Sequence, residues 1–547
     1  MIWKKILTNE SATITGAAII LAAASILSRL LGFARDRTLA HYFGAGDVID
    51  AYYAAFKIPD LTYNLIILGA FSAGFIPVFT KLFNKNSLNK NKKEAWLLVN
   101  NSINTLGVFL IFLTIILIIF APLLTPIVAP GFTGEKLALT TKLTRIMLLS
   151  PLFLGLSTVA GAVLQSLKNF LVYSLSPMLY NLGIIIGAIF LVPFFGPAGL
   201  AWGVILGAFL HLIIQLPSMH LAGFRYFFYA NLKDKNLITI IKLVIPRTFG
   251  LAAGQINSIV MTMLASTMAV GSVAVYNYGF NLQSLPLGLV GVSFAVAAFP
   301  LLSEMAHKNE TEKIIKTVSA ATKQILFLTI PLMLIFLMLR AQIVRVVLGT
   351  GAFDWTATIK TADVLAFFAL SLFAQSLIPL ISRVFYALED TKTPFFCGIF
   401  SVFINILLGW FLTSAPKAIF GVEGLALAFS IASIFNLALL WVFLRLRLKN
   451  LNEFEILPSL YKMSVAAIFM GIALQAMKIL MDKIVDTHTF FGIFSQGLIA
   501  GAFGILVYSL IGLMLKNQEM LALIETIKRR LIKKPLEAMD ISDITKQ

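Results

Sequence analysis

Long runs of apolar residues alternate with short polar stretches along almost the whole chain. Each run reaches about 20 residues, which is the length that an α-helix needs to cross the hydrocarbon core of a membrane. Proline and glycine inside some runs do not exclude a helix, because neighbouring membrane helices can satisfy the freed backbone groups. The pattern predicts about fourteen transmembrane helices, at residues 14–43, 50–83, 96–128, 137–166, 171–194, 198–221, 237–268, 272–304, 314–349, 358–388, 394–416, 421–446, 457–480 and 489–515.

Lysine and arginine concentrate in every second loop between these predicted helices. The intervening loops contain few charges, with Lys136, Lys417 and Lys483 as the exceptions. Basic loops stay on the cytoplasmic side of a membrane. The alternation therefore predicts an even number of spans with both termini in the cytoplasm. The basic segments are the loops 81–95, 222–236, 305–316, 388–394 and 445–449 and the tail after Lys516.

The composition agrees with a chain that lies mostly in lipid. Of 547 residues, 59% are hydrophobic and 12% are charged, whereas soluble domains carry about 25% charged residues. These values exclude a single soluble globular core and a disordered chain. The 43 basic and 25 acidic residues give a net charge of +18, which we assign to cytoplasmic loops and not to nucleic-acid binding.

Cysteine and histidine are scarce. Cys397 is the only cysteine among the 547 residues, so a disulfide framework is excluded. With five histidines beside it, a metal site built from these two residue types is not expected. We expect the protein to have no cofactor.

Two pairs of segments resemble each other at nearly the same separation. GPAGLAWGVILGAFLHL at 196–212 aligns with GVEGLALAFSIASIFNL at 421–437, and FSAGFIPVF at 71–79 aligns with FAVAAFPLL at 294–302. The offsets, 421 − 196 = 225 and 294 − 71 = 223, each cover about six spans. Internal duplication is common in transporters. Because an even number of spans keeps both copies in one orientation, the pattern predicts two lobes related by an axis along the membrane normal.

The predicted fold is an all-α polytopic membrane protein with about fourteen helices. Two six-helix lobes are related by a pseudo-two-fold axis, and two extra helices follow them. The expected layout is an N-lobe at 1–225, a C-lobe at 226–450, two extra spans at 451–516 and a basic, amphipathic cytoplasmic tail at 517–547.

The first two predicted helices carry an unusual number of polar and charged residues. Residues spaced three and four apart share one face of a helix. A charge at the bilayer centre costs ~2.5–3.5 kcal/mol, so such faces are expected to turn toward each other or toward a wet cavity. The first helix presents Ser25, Arg29, Gly32 and Asp36, with Arg35 at the border of this face, and the second presents Asp50, Tyr53, Lys57, Asp60 and Asn64.

We interpret this cluster as a binding surface for an anion. The planar guanidinium of arginine can bind two phosphate oxygens at once, and the aspartates would hold the arginines in place when no ligand is bound. A structural ion-pair network, such as Arg35 with Asp50, is the alternative. Arg247, near the start of the seventh helix, either adds positive charge to the same cavity or anchors a helix end.

Several catalytic motifs are absent from the sequence. There is no G-x-x-x-x-G-K-[ST] loop for ATP, no H-E-x-x-H metal motif and no G-x-S-x-G nucleophile motif. The chain is therefore expected to be a transporter and not an enzyme. Energy for transport would come from a coupling ion, the membrane potential or downhill flow of the substrate.

Three motifs carry a resemblance to a known family. The sequence reads SRLLGFARD at 28–36, HYFGAGDVIDAYYAAFKIPDL at 41–61 and LGAFSAGFIPVF at 68–79. This opening resembles the MurJ (MviN) family of bacterial lipid II flippases, which belongs to the multidrug/oligosaccharidyl-lipid/polysaccharide exporter superfamily. FYALEDTKTP at 385–394 and the stretch 165–181 resemble the family at its tenth span and at the matching place in the first lobe.

The resemblance implies a function and a set of residues. Members move undecaprenyl-diphosphate-linked disaccharide-pentapeptide across the bacterial inner membrane for peptidoglycan synthesis, working by alternating access. Lipid II and membrane lipids are the implied partners. The resemblance leaves open whether cell-wall synthesis proteins also bind. The family's essential cavity charges match Arg29, Arg35, Asp36, Asp50 and Lys57, and a diphosphate role is implied for the basic ones.

The chain also departs from the family's pattern. Tyr63 and Asn64 stand where many members have two arginines, and Leu68 stands where they have a glutamate. The family's cavity arginine in the eighth span falls on Asn281. These departures remove positive charge from the expected site, and Arg247 is the candidate replacement. They also leave the exact headgroup open.

Three rival functions differ in what they require. An exporter of the same superfamily for another lipid-linked oligosaccharide or a drug would be favoured by twelve spans. A membrane glycosyltransferase or acyltransferase would need a catalytic carboxylate or histidine and a donor-binding domain, for which the loops are too short. A scaffold protein would have no use for costly intramembrane charges.

Overall fold

The structure, a computed structural model, describes residues 14–65, 71–84, 89–414, 420–487 and 489–531. These ranges contain α-helices, short π-helical turns and loops, and no β-strand. The predicted all-α membrane fold is confirmed. The helices are α1 (Ile14–Phe43), α2 (Asp47–Ala55), α3 (Lys57–Tyr63), α4 (Phe71–Asn84), α5 (Asn89–Val128), α6 (Gly134–Met147), α7 (Ser150–Ser166), α8 (Phe170–Ile186), α9 (Val192–Phe195), α10 (Ala198–Ile213), α11 (Leu216–Leu221), α12 (Lys235–Ser266), α13 (Ser272–Pro286), α14 (Ser293–His307), α15 (Thr311–Met338), α16 (Arg340–Leu348), α17 (Trp355–Ala369), α18 (Leu372–Ala387), α19 (Lys392–Thr413), α20 (Glu423–Leu448), α21 (Glu453–Asp482), α22 (Phe490–Met514) and α23 (Gln518–Leu531).

Ten helical stretches in the described ranges are long and apolar enough to cross a membrane. α17 and α18, bent by 44° at their junction, form an eleventh candidate. These eleven coincide with eleven of the fourteen predicted segments. The remaining three, 14–43, 50–83 and 237–268, are not among them, so the count of fourteen stays a prediction. The ten stretches are Lys92–Val128, Gly134–Ser166, Phe170–Phe195, Ala198–Leu221, Ser272–His307, Thr311–Met338, Lys392–Thr413, Glu423–Leu448, Glu453–Asp482 and Phe490–Met514.

The helices pack into two compact units. Unit 1 comprises residues up to Asn277 together with Leu348–Ala357, and unit 2 comprises Tyr278–Val347 and the chain from Thr358 onward. α12 falls in unit 1 because it packs on α4 and α5. The lobe boundary at 225, which was inferred from the repeat and not from packing, stays a prediction.

In unit 1, α8 and α10 approach closely through small residues. A methyl group added at Gly183 or Gly187 would collide with the backbone of Gly207 or Gly203 on the facing helix. The two glycines of each pair, Gly183 with Gly187 and Gly203 with Gly207, are four residues apart and so lie on one face. Small residues at this spacing let the backbones of two membrane helices approach closely. This packing fixes α8, which also packs along α1.

In unit 2, α21 and α22 pack against each other and α21 packs on α15. Buried Met463, Met470 and Leu474 belong to the same apolar core as Ile325 of α15. The Tyr508 hydroxyl on α22 donates a hydrogen bond of 3.2 Å to the carbonyl of Phe327. The two helices that lie outside the predicted repeat are thus joined to the described core of unit 2.

The α7 and α18 helices end in the same way. Lys168 and Glu389 each adopt a positive φ, 59° and 61°. The amide of Asn169 donates to the carbonyl of Leu164 at 2.9 Å, and the amide of Asp390 donates to that of Phe385 at 2.8 Å. Both ends are Schellman motifs. The ends of α7 and α18, about 221 residues apart, therefore share the same backbone motif. Both also lie in the stretches that resemble the family at matching places.

Candidate functional site

The charged face of α1 borders an open space. Gly32 lies one turn after Arg29, and a methyl group added at Gly32 would meet no atom within 4 Å. Arg29 is half-buried, and Asp36, one turn further along, is buried. The absence of a side chain at Gly32 leaves room for another molecule between these two charged positions.

Arg35 is held by two side chains. Its Nε and Nη2 donate to Oδ1 of Asp36 at 3.0 and 2.8 Å, and its Nη1 donates to Oδ1 of Asn181 on α8 at 3.1 Å. The guanidinium has five N–H groups, so two remain after these three bonds. The Arg35 side chain is 23% exposed, so the protein does not fully enclose it.

A break in the helix between α2 and α3 lies directly before the next basic residue. Pro59 has no amide hydrogen, so it cannot bond the carbonyl of Ala55, and the helix breaks at Phe56. α3 then begins at Lys57, whose Nζ donates a hydrogen bond of 3.1 Å to the hydroxyl of Ser258 on α12. Ser258 thus fixes a lysine that keeps two further N–H groups.

Asp60 connects the two basic groups electrostatically. Its carboxylate interacts with the Lys57 ammonium and with the Arg35 guanidinium. Within the described ranges it makes no hydrogen bond or ion pair of its own. Tyr52 and Tyr180 lie in the field of the same charges. The structure therefore brings together Arg35, Asp36, Lys57 and Asp60, which we call the basic cluster with its two carboxylates.

Asp50 has a different environment. Its Oδ2 accepts a hydrogen bond of 2.7 Å from Nζ of Lys136 on α6 and one of 2.8 Å from the amide of Gly271. Its Oδ1 accepts one of 2.8 Å from the amide of Ala274. Asp50 is buried and caps the N-terminus of α13, where a negative charge is stabilised. Its ion pair is with Lys136, whereas that of Arg35 is with Asp36.

Lys136 also pairs with Asp47 at 2.7 Å and lies over the ring of Phe132, 4.1 Å from its centroid. The lysine therefore joins α6 to α2, and Asp50 joins α2 to the start of α13. We call Asp47, Asp50 and Lys136 the capping network. It ties three segments of unit 1 that are far apart in the sequence.

The remaining candidate residues are placed as follows. Tyr63 and Asn64, at the end of α3, are half-buried, and Tyr63 hydrogen-bonds Thr158. Asn281 is half-buried on α13 in unit 2. The side chain of Arg247 and the whole of Leu68 lie outside the described residues, so the proposed replacement by Arg247 stays a prediction.

Three contributing residues escaped the sequence analysis. Asn181 and Ser258 hold the two basic groups, and Lys136 was noted only as an exception among sparsely charged loops. Asn181 lies in the stretch 165–181, whose resemblance to the family was the available signal. Ser258 gives no signal, because one serine in an apolar helix is unremarkable.

The chemistry of the cluster suits an anion. Two basic groups present four unused N–H donors, and their partners fix their positions in advance. Within the described ranges, no three His, Cys, Asp or Glu side chains lie close enough to hold a metal ion. N–H donors on positively charged groups are the partners that phosphate oxygens favour.

The profile of the family described as "Lipid II flippase MurJ" matches residues 39–495. The chain belongs to the MurJ family. A "Probable lipid II flippase MurJ" of Buchnera aphidicola subsp. Schizaphis graminum is 31% identical over 486 residues, which is 86% of this chain and 92% of that protein.

Two solved structures resemble the chain, and one of them is a MurJ structure. One described as "Lipid II flippase MurJ, inward closed conformation" is 26% identical, covers 91% of this chain and 99% of its own, and has a TM-score of 0.75. An inward-facing multidrug resistance MATE family transporter of the MOP superfamily has a TM-score of 0.65 over 80% of this chain and 99% of its own. At 15% identity, the second likeness shows the fold alone.

Proposed function

We propose that this chain is a lipid II flippase of the bacterial inner membrane. It moves undecaprenyl-diphosphate-linked disaccharide-pentapeptide from the cytoplasmic to the outer leaflet for peptidoglycan synthesis. Membership of the MurJ family supports the substrate. The observation that carries the proposal is the pair of pre-positioned basic groups, Arg35 and Lys57, on helices that lie within predicted membrane spans.

The two basic groups would bind the diphosphate of the substrate. Arg35 offers two N–H groups from a planar fork, which matches two phosphate oxygens, and Lys57 offers a compact charge beside it. Without substrate, Asp36 and Asp60 offset the positive charge and lower the cost of the empty state. The sugar and peptide would lie in the open space beside Gly32.

Translocation would proceed by alternating access, in which the site opens first to the cytoplasm and then to the outside. The capping network ties α2 to α6 and to the start of α13, so any movement of α13 away from α2 must break the Asp50 cap. In this account Asp50 controls the conformational change and does not contact the diphosphate. No ATP-binding loop is present in the sequence, so a coupling ion, the membrane potential or substrate flow would drive the cycle.

The polyprenyl tail would stay in lipid, along α21 and α22. Both helices expose large apolar residues, including Ile468, Ile472 and Phe491. The charge alternation in the loops supports cytoplasmic termini. Lipid II and membrane lipids are then the direct partners, and cell-wall synthesis proteins are possible docking partners.

A complementation experiment tests the substrate and the site together. Cells depleted of their own lipid II flippase would express the wild type, Arg35→Ala, or Lys142→Ala, which removes an exposed lysine outside the cluster. Surface lipid II is measured with an added probe that cannot cross the membrane. We expect the wild type and Lys142→Ala to restore surface lipid II and a normally expressed Arg35→Ala protein to fail.

Two other outcomes have distinct meanings. If the folded wild type leaves lipid II inside, the substrate is wrong and another lipid-linked oligosaccharide or a drug becomes the candidate. If Arg35→Ala transports as well as the wild type, the substrate stands and the assigned site is wrong.

A further inference from the structure

A segment of unit 1 outside the candidate site exposes several aromatic side chains. Residues 224–234, between α11 and α12, are not helical apart from a short turn. Tyr226 is 63% exposed and Phe228 is 72% exposed, and Leu232 nearby is 69% exposed. So many large apolar groups on one short segment need a partner that covers them.

Three asparagines on α5 hold this segment through its backbone. Asn100 accepts from the amide of Phe227 at 2.9 Å and donates to the carbonyl of Arg225 at 3.1 Å. Asn101 accepts from the amide of Asn231 at 2.7 Å and donates to the carbonyl of the same residue at 3.0 Å. Their amides thus bond the segment as a neighbouring β-strand would.

Asn104 completes the ladder. Its Nδ2 donates to the carbonyls of Phe227 and Tyr229 at 3.2 and 3.1 Å, and its Oδ1 accepts from the Tyr226 hydroxyl at 2.8 Å. The bonded backbone groups belong to alternate residues, from Arg225 to Asn231. In an extended chain the groups of the other residues point to the opposite edge. The asparagines of α5 bond one edge, and the other edge therefore points away from them.

The position of the ladder along α5 indicates its depth in a membrane. Lys93 is exposed, and Asn100 follows it seven residues later, about 10 Å along the helix. Val108, four residues and about 6 Å beyond Asn104, is 56% exposed and begins the apolar face that turns to lipid. The ladder therefore lies between the basic end of α5 and its lipid-facing part.

We propose that residues 225–232 form an anchor in the interfacial layer of the bilayer, with the aromatic rings at the level of the lipid headgroups. Tyrosine and other amphipathic rings favour this layer. A non-helical segment is tolerated near the hydrocarbon only when its backbone is bonded, which the asparagine ladder achieves on one edge. The outward edge remains for water and headgroups.

Charge complementarity identifies the lipid. Arg225, Lys233 and Lys235 flank the aromatic residues and are exposed. Basic residues beside interfacial aromatics attract anionic headgroups near the membrane surface. The predicted location of this loop on the cytoplasmic side agrees with a leaflet that contains anionic lipid.

Collision accessibility of a spin label tests the anchor. In a Cys397→Ser chain, a nitroxide is attached at Phe228→Cys or, as the matched aqueous control, at Lys233→Cys, and the full-length protein is placed in phosphatidylglycerol-containing vesicles. At position 228 we expect oxygen to collide more often than a water-soluble nickel complex, and at position 233 the reverse. Equal nickel access at both positions, or little collision of either reagent at 228, would overturn the anchor.

A second variant tests the role of the ladder. Asn101→Asp keeps the acceptor for the Asn231 amide and removes the donor to its carbonyl. In a protein with an unchanged melting curve, we expect the label at 228 to lose part of its oxygen accessibility and gain nickel accessibility. An unchanged ratio would show that the ladder does not set the depth of the segment.

Discussion

The second predicted helix of each half has the same backbone interruption but different chemistry. Continuing the offset of 223 from Phe71 and Phe294 places Asn64 opposite Leu287. The backbone has π-helical geometry at Asn64 and Leu65, and a π-helical turn begins at Leu287. The same alignment places Asp50, Lys57 and Asp60 opposite Val273, Phe280 and Gln283.

The second copy fills these positions without charge. Val273 is buried, and the Phe280 ring lies 5.8 Å from that of Phe368. Gln283 accepts a hydrogen bond of 3.0 Å from Gln375. The fold therefore accommodates neutral residues at these positions. The charges in the first copy are not needed for the π-helical interruption that both copies share, and a functional reason for them is the simpler account.

The largest effect is expected from Asp50→Ala. It leaves Lys136 without one of its two carboxylates and two amides at the start of α13 without their acceptor. Breaking a buried ion pair costs about 3–5 kcal/mol. We expect a clear fall in the melting temperature of the purified protein. Asp47→Ala, which removes the 57% exposed partner of the same lysine, should change it little, and equal effects of the two would contradict the buried cap.

Lys57→Ala should weaken substrate binding without unfolding the protein. A hydrogen bond to a charged group contributes about 1.5–3 kcal/mol, which corresponds to a ~10–100-fold loss of affinity. Binding of lipid II to the purified protein is the measurement, and Lys142→Ala is the control. Gln283 is the counterpart of Asp60 in the second copy. Gln283→Ala should leave the affinity for lipid II unchanged. A full-affinity Lys57→Ala protein would remove Lys57 from the site.

Gly187→Ala tests a further difference between the halves. The added methyl group collides with the backbone of Gly203, and overpacking of this kind costs about 1–3 kcal/mol. At an offset of 225, Gly203 matches Ala428, so α20 already accommodates a methyl group. Gly254→Ala is the control, since a methyl group there meets nothing within 4 Å. The melting temperature should fall for Gly187→Ala alone.

The smallest effect is expected from a substitution at the end of α18, which matches the end of α7. Asn169 follows α7, and Asp390 stands at the same place after α18. Partial burial acts to raise the pKa of Asp390, but hydrogen bonds from Thr393 and Lys392 and the charge of Arg447 hold that pKa below its usual value. A depressed folded pKa contributes stability above the unfolded pKa of about 3.9 and loses it as pH falls through the lower folded value.

Asp390→Asn should therefore reduce the loss of stability on acidification. The exposed Arg447 pair contributes at most about 1 kcal/mol at neutral pH. Melting temperatures of the variant and the wild type, measured from pH 7 down to the acid limit, should converge as pH falls. A constant gap across the range would show that the carboxylate charge contributes no pH-dependent stability.

The sequence was sufficient for the helical fold, because lipid imposes a long apolar run for every span. Helical spacing also placed Asp36 on one face of the first helix, with Arg35 at its border, and Lys57 and Asp60 on one face of the second. The sequence did not show that Asp50 has different partners from these four residues. The stripe on the second helix is broken at Phe56, and the partners of Asp50 come from α6 and the start of α13. Contacts between distant segments have no periodic signal.

Translocation by the purified protein tests the central claim most directly. Vesicles containing lipid II and either wild-type protein or Arg35→Ala protein of equal melting temperature are compared for the rate at which lipid II crosses to the opposite leaflet. The account predicts rapid crossing with the wild type and a rate near that of protein-free vesicles with Arg35→Ala. Equal rates for the two proteins would contradict the assignment of the diphosphate site to Arg35.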